Sequence, residues 1–328
     1  MEYRTLGRTG ISISEIGFGA WAIGGEMWGP QDDRDSVAAL HRALDLGCTF
    51  LDTAQVYGDG HSERLIARVL KERPDGDRVT VGTKVPPKNR NWRPRPGTPI
   101  SEAFPSDYII ERCEISLQNL ETDTLDLYQL HTWCPTWDEE TEWYEAMVRL
   151  QEAGKIRFIG ISVSGDRPGE ANSQLEAGRV DSVQVIYSIL DQSPEQALFP
   201  VAQAHDVVII ARVPLASGAL TGKWTRDTEF PKGDWRGEWK DRGWLHQKVE
   251  QVARIRFLEE DGTPLASASL KFCLSHPAVS TAIPGIRNAE QAEINMGASD
   301  GRPLDSSQTS RLRDMYSEGL IGAPDRTV

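Results

Sequence analysis

Eight short apolar runs recur along this chain, and stretches with helical spacing separate them. The runs are Glu15–Phe18, Cys48–Leu51, Val79–Thr83, Leu125–Leu130, Ile156–Ile161, Ser182–Ile186, Val207–Ile210 and Ser280–Ile283. Most are continuously apolar rather than alternating, the pattern of a parallel sheet covered on both faces. Between them, Asp33–Leu46 places Val37, Leu40, Ala43 and Leu44 on one stripe, and Ser62–Lys71 follows the second run. Ser106–Leu120 opens with a candidate Ser106 cap and Asp107, Asp138–Ala153 stops at Gly154, and Asn288–Gly297 follows the last run. Eight strands alternating with helices predict an α/β fold, a (β/α)8 TIM barrel forming one domain over residues 1–328. A doubly wound dinucleotide fold needs a GxGxxG turn after its first strand. The nearest cluster, from Gly17 to Gly24, has the wrong spacing and no helix directly after it.

Two segments interrupt the rhythm. Residues 86–105 hold six prolines and the basic run Lys88–Arg95, and residues 223–244 hold Trp224, Trp235, Trp239 and Trp244. Both come after strands, on the C-terminal barrel face that carries active sites. The basic run is read as a solvated loop, with selection of an anionic substrate as the sharper alternative. The tryptophans read as a lid or as a satellite core under a long loop.

The formal net charge of −13 argues against nucleic acid or an anionic membrane as the principal partner. Four widely spaced cysteines without a CxxC pair predict neither a zinc site nor a disulfide framework, and Cys48 and Cys113 read as core. The start, MEYRTLGRTG, lacks a basic region followed by an apolar run, and no apolar stretch is long enough to span a bilayer. A reduced, cytoplasmic protein is expected, with no metal.

The chemistry concentrates at strand ends. Asp52 and Tyr57 follow the second strand, Lys84 the third and His131 the fourth. In a barrel these ends converge on one pocket. A carbonyl receiving hydride needs a proton on its oxygen. Tyr57 can supply it, although a free phenol has a pKa near 10, high for transfer near neutrality. A nearby Lys84 ammonium is expected to lower that pKa, with Asp52 as its counter-ion. His131 can donate to the carbonyl oxygen. Taken singly, each residue has a plainer role as turn former, rim, solvated amine or core imidazole.

The motifs Leu51-Asp-Thr-Ala-Gln-Val-Tyr57-Gly58, Gly82-Thr-Lys84-Val85 and Leu130-His131 resemble those of the aldo-keto reductase superfamily. So do Leu6-Gly-Arg-Thr-Gly10, Gly17-Phe-Gly19-Ala20-Trp21 and the stretch from Ile283 to Asn295. The resemblance implies a barrel whose bottom is covered by an N-terminal hairpin, fitting Tyr3–Leu6 and Ile11–Ser14. It implies Tyr57 as general acid, assisted by Asp52, Lys84 and His131, and NADPH (NADP+) as cofactor.

The same resemblance assigns the cofactor contacts. Gly19, Ala20, Trp21 and Asp52 would line the site, and Ser162 and Gln184 would bond the nicotinamide carboxamide. Many members carry Asn after that serine; here it is Val163. Many carry an aromatic ring where this chain has Arg212, a guanidinium able to stack, to bond an acceptor oxygen, or to pair with an acid such as Asp191. Pro214, Leu215, Ser217 and Lys223 resemble a pyrophosphate-holding stretch. Ile283, Gly285, Arg287, Gln291 and Asn295 match the adenosine end, with Arg287 suited to a 2′-phosphate. Trp21, Tyr57, His131 and Trp133 would form the substrate rim for a small-molecule carbonyl compound. The alternative is an NADPH-binding, channel-associated or regulatory subunit with little turnover. A glycosidase needs a second strand-end acid, and Lys84 and His131 occupy the next two ends. A scaffold barrel needs no such set.

Overall fold

The computed structural model describes residues 1–25 and 27–322. Eight parallel strands form its central sheet: β3 (Phe18–Gly19), β4 (Phe50–Asp52), β5 (Thr80–Val85), β6 (Leu125–Leu130), β7 (Ile156–Ser162), β8 (Ser182–Ile186), β9 (Val208–Arg212) and β10 (Val279–Ile283). Each pairs with its neighbour in sequence. Bridges Ile16↔Ala282 and Gly19↔Gly285 join the first strand to the last and close the barrel. Ahead of them, β1 (Tyr3–Thr5) and β2 (Ser12–Ser14) form the expected antiparallel hairpin.

The eight predicted strands are all present. The bounds of β6 and β8 agree with the apolar runs. The first strand is displaced, from Glu15–Phe18 to Phe18–Gly19. Glu15 and Ile16 meet the last strand only through an isolated bridge, Ala282 N donating to Glu15 O (2.9 Å), while the Glu15 side chain accepts from Arg4 Nε (2.9 Å) and Ser299 Oγ (2.9 Å).

Outside the barrel, α1 (Asp33–Asp45), α2 (His61–Lys71), α3 (Ser106–Leu120) and α4 (Glu142–Glu152) lie near their expected positions. Asp32 caps α1 by accepting from Arg34 N, and Gly154 follows α4 at φ +71°, as a C-terminal stop requires. Ser106 is not the cap of α3. Pro105 holds that position, and Ser106 Oγ donates instead to Glu142 O (3.0 Å). Proline suits a helix start because its missing N–H has no partner to lose there.

Strand period sets what the interior receives. Phe50, Leu127, Val208, Ile210 and Ile283 gather with the hairpin residues Leu6 and Ile13 in one buried cluster. The hairpin thus plugs the barrel's lower end. Two residues further along each strand, the same inward face presents Asp52, Gln129 and Arg212. Gly82 and Ser182 share that face with Lys84 and Gln184. Polar residues collect at the C-terminal end because the apolar layer beneath is already closed. All four cysteines are buried and free, and burial pushes the Cys48 thiol up to about 11. No helix among the described residues is long and apolar enough to cross a membrane.

Candidate active site

Three strand ends bring the predicted set together. Lys84 Nζ donates to Asp52 Oδ2 (2.8 Å) and to Thr53 O (2.6 Å), and the pair is shut from solvent, the lysine side chain being 0% exposed. The register explains the meeting, since β4 and β5 pair directly with Asp52 opposite Gly82. Lys84 Nζ lies 5.3 Å from the Tyr57 ring centre, and the Tyr57 and His131 rings meet edge-on at 5.8 Å.

Tyr57 sits in a turn after β4, held by its N–H to Ala54 O (3.0 Å). Two glycines let the loop after β3 press on that turn. A Cβ on Gly58, whose φ is +62°, would stand 2.1 Å from Gly24 O. One on Gly24 would stand 2.8 Å from the Tyr57 carbonyl carbon. Only glycine tolerates both the left-handed backbone and that approach.

Burial, with the Asp52 charge behind it, pushes the Tyr57 phenol up rather than down, while Arg212 opposes. The expectation that Lys84 lowers it is not met: the ammonium donates to Asp52 and to Thr53 O, so its charge is largely offset locally. The phenol is therefore a neutral hydroxyl. His131 is also neutral. Burial first, then the Lys84 and Arg212 charges, hold its imidazole well below the usual range, and its Nδ1 has no partner among the described residues.

The expected nicotinamide contacts lie beside this set. Gln184 Nε2 donates to Asp52 Oδ1 (2.7 Å), so in this arrangement the amide orients the carboxylate rather than standing free. Ser162 is buried opposite Gln184 on the neighbouring strand. Val163 is buried and donates its N–H to Gln184 O (2.9 Å). Arg212 donates Nη2 to Val163 O (3.1 Å), while its buried Nε has no partner among the described residues. Burial lowers its pKa, against the charges of Asp191, Asp52 and Glu170.

After β9 the backbone turns left-handed at Val213 (φ 55°), Ala216 (φ 46°) and Ser217 (φ 57°). Three non-glycine residues in that region within five positions mark stored strain, which collects at functional sites. Pro214 and Ser217 are buried there, Leu215 is half-buried and Lys223 is exposed. Arg287 is tethered by Nε to Gln31 Oε1 (2.8 Å) and by its N–H to Gln291 Oε1 (2.9 Å). Asn288 caps the following helix, Ala289–Met296, in which Asn295 is buried, and Gly285 is exposed just before it.

The Trp-rich segment is both a cover and a small core. Trp235 lies nearly parallel to Trp21 (6.4 Å, 21°), and Trp21 lies nearly parallel to Tyr57 (6.1 Å, 23°). Trp28 stands edge-on to both tryptophans, and Trp239 is buried between Trp224 and Trp235. Arg236 holds the segment down, paired with Asp234 (2.6 Å), stacked on Trp28 (4.7 Å) and donating to Ser217 O (3.0 Å).

Trp133 corrects the expected rim. It is fully buried, edge-on to Trp137 and Trp143, behind the barrel wall. Trp92 takes the place beside His131, at 5.0 Å and 39% exposed, with its carbonyl accepting from Thr132 Oγ1 (3.0 Å). Sequence reasoning passed over Trp92 and Trp28. Both lie in loops, and only the proline-bounded basic run around Trp92 marked either.

A closed eight-stranded parallel barrel with a buried acid–lysine pair beside a tyrosine and a histidine at its C-terminal mouth defines a class of oxidoreductases. The sequence profile described as "Aldo/keto reductase family" matches residues 15–317, and the chain belongs to that family. Aldo-keto reductase YhdN of Bacillus subtilis is 31% identical, with 99% of each chain covered. Among solved structures, the holo form of an aldo-keto reductase from Bacillus halodurans superposes with a TM-score of 0.75 at 29% identity, covering 96% of both chains. An aldo/keto reductase from Klebsiella pneumoniae in complex with NADP and acetate gives 0.72 at 25% identity, over 100% of this chain and 98% of that one.

Proposed function

We propose that this protein reduces aldehydes and ketones to alcohols with NADPH, Tyr57 acting as general acid. The observation that carries the reading is the neutral Tyr57 phenol beside the buried Lys84–Asp52 pair and a neutral His131. A proton donor has to hold its proton until the carbonyl oxygen becomes basic, and burial does that here. As charge develops on that oxygen, Tyr57 Oη gives up its proton, and the Arg212 charge, which opposes the upward push on the phenol, favours the phenolate left behind. His131, neutral, donates one hydrogen bond to the same oxygen and fixes which lobe faces the phenol. Asp52, held on its other oxygen by Gln184, keeps the lysine charged and in place.

The residues present fit a dinucleotide phosphate. Left-handed backbone at Val213, Ala216 and Ser217 is the conformation from which anion-binding nests are built. Arg287 and the capped helix after it supply a guanidinium and a helix N-terminus for a phosphate. Pro214, Leu215, Ser217 and Lys223 would hold the pyrophosphate. Ile283, Gly285, Arg287, Gln291 and Asn295 would hold the adenosine end, Arg287 favouring the 2′-phosphate. Gly19, Ala20, Trp21, Ser162, Gln184 and Arg212 would surround the nicotinamide, which supplies hydride when bound. Trp21, Tyr57, His131 and Trp92 would meet the substrate.

The test is NADPH oxidation followed by its near-UV absorbance over a panel of aldehydes, for wild type and Tyr57→Phe. Turnover that Tyr57→Phe removes while NADPH still binds is the expected result. NADPH binding without any turnover by wild type would fit the regulatory-subunit alternative instead. Absence of nicotinamide binding ends the proposal.

A further inference from the structure

The chain carries a net charge of −13, yet Lys88, Arg90, Arg93 and Arg95 crowd eight positions of one loop. The structure puts that loop against the reacting centre. It leaves β5 at Pro86 and Pro87, next to Val85, whose carbonyl accepts the His131 N–H (3.1 Å). It then returns to lay Trp92 on the His131 ring. Arg90 is two residues from Trp92, so at most about 7 Å of chain separates their Cα atoms.

Three of the four cations are not neutralised in place. Surface arginines elsewhere in the molecule pair with acids, as Arg73 does with Asp45 and Asp75, but Lys88, Arg90 and Arg95 form no ion pair among the described residues. Two of them act on one tyrosine. Lys88 Nζ lies 5.8 Å from the ring centre of Tyr108, in the first turn of α3, and Arg90 acts on the same phenol electrostatically. The Arg112 guanidinium lies over that ring at 5.2 Å. Glu111, the acid in this group, engages Arg112 Nη2, while the buried Arg112 Nε has no partner among the described residues. Gln55, two residues before Tyr57, donates to Arg112 O (3.3 Å), which ties the cluster to the turn that carries the proton donor.

We infer that the substrates of this site carry an anionic oxyacid group, a carboxylate or a phosphate ester, which the Lys88–Arg95 loop and Arg112 read while the carbonyl lies between Tyr57 and His131. The inference rests on the carbonyl-reduction reading above. Unpaired cations on an otherwise acidic surface concentrate anions at the mouth and raise their rate of encounter, an effect that salt weakens. Trp92 gives the body of such a substrate an apolar wall between the charged end and the reacting end.

Four aldehydes of one shape test this: 4-formylbenzoate, 4-formylphenyl phosphate, benzaldehyde and (4-formylphenyl)trimethylammonium. Wild type is expected to favour the two anions over benzaldehyde by about tenfold in kcat/KM at low ionic strength, mainly through KM, with the cation poorest and the spread shrinking in salt. The ratio between the two anions identifies which oxyacid fits. The double charge reversal Lys88→Glu with Arg90→Glu, at two exposed positions, is expected to invert the order of anion and cation relative to benzaldehyde. Equal kcat/KM for the charged and neutral aldehydes, or a preference unmoved by the double reversal, overturns the inference. A readout independent of turnover is titration of terephthalate and of its neutral diamide, followed by tryptophan emission. Tighter binding of the dianion that the reversal abolishes supports the basic rim even if every aldehyde is inert, in which case the carbonyl-reduction reading alone fails.

Discussion

Two ion pairs, one at each end of the barrel, are built to different ends. At the bottom, Arg4 reaches Glu15 and also donates to Val279 O (2.7 Å) and Leu274 O (2.9 Å), while Glu15 accepts from Ser299 Oγ. The pair ties the hairpin, the helix turn at Leu274 and the last strand together, and Arg4 is partly open to solvent. At the top, Lys84 and Asp52 are more deeply buried, and they stand beside the candidate reacting groups. Two of the three ammonium hydrogens have partners, and the groups around the pair, Tyr57 and His131, are held neutral. The bottom pair holds parts in place. The top pair, shut from solvent, keeps its field available to a bound group.

Replacing groups at one end and not the other should separate these roles. Tyr57→Phe is expected to lower kcat for aldehyde reduction by about 10²–10⁴-fold with the melting temperature unchanged, read by NADPH oxidation and thermal unfolding. Asp52→Ala leaves the Lys84 charge buried without its partner and is expected to cost about 3–5 kcal/mol of stability in urea titrations. It should also abolish turnover. Arg4→Met removes charge-assisted bonds at the bottom, and a loss of about 1.5–3 kcal/mol is expected with kcat retained. A matching drop in kcat would show the two ends to be coupled and break the comparison.

A pH effect should come next in size. The His131 pKa is depressed in the folded state, so the unfolded chain binds that proton more readily. The associated stability is present above the unfolded value of about 6.5 and is lost as pH falls through it. His131→Asn should flatten that part of the curve in denaturant titrations at pH 5 to 8, and an unchanged slope counts against the neutral imidazole. The smallest effect on turnover is expected for Trp235→Ala, which removes a stacked contact with Trp21 and edge contacts with Trp28 and Trp239, each worth about 0.5–1.5 kcal/mol. Tryptophan emission and a rise in substrate KM should register it, with kcat retained.

The barrel was legible because parallel strands covered on both faces leave continuous apolar runs, as Leu125–Leu130 and Ser182–Ile186 show. The strand-end residues were legible for the same reason: once the strands are placed, Asp52, Lys84 and His131 have nowhere else to converge. What escaped depended on contacts distant in sequence. Trp133 and Trp92 are equally aromatic, but packing against Trp137 and Trp143 buries one, while a loop return sets the other on His131. The upward push on Tyr57 was hidden because a short lysine-to-phenol distance was assumed, whereas Thr53 O and Asp52 take the ammonium first. Nor could spacing show that Gln184 would turn its amide onto Asp52.

The hairpin plug has a kinetic consequence. With Leu6 and Ile13 packed into the lower end, the site has a floor, and Trp235, against Trp21, and Trp92, against His131, stand at its open end. On the proposed function, two reactants that enter over such a floor would not exchange independently. The one against Asp52 and Gln184 would load first and leave last, so that the turnover cycle would be a queue rather than a crossing.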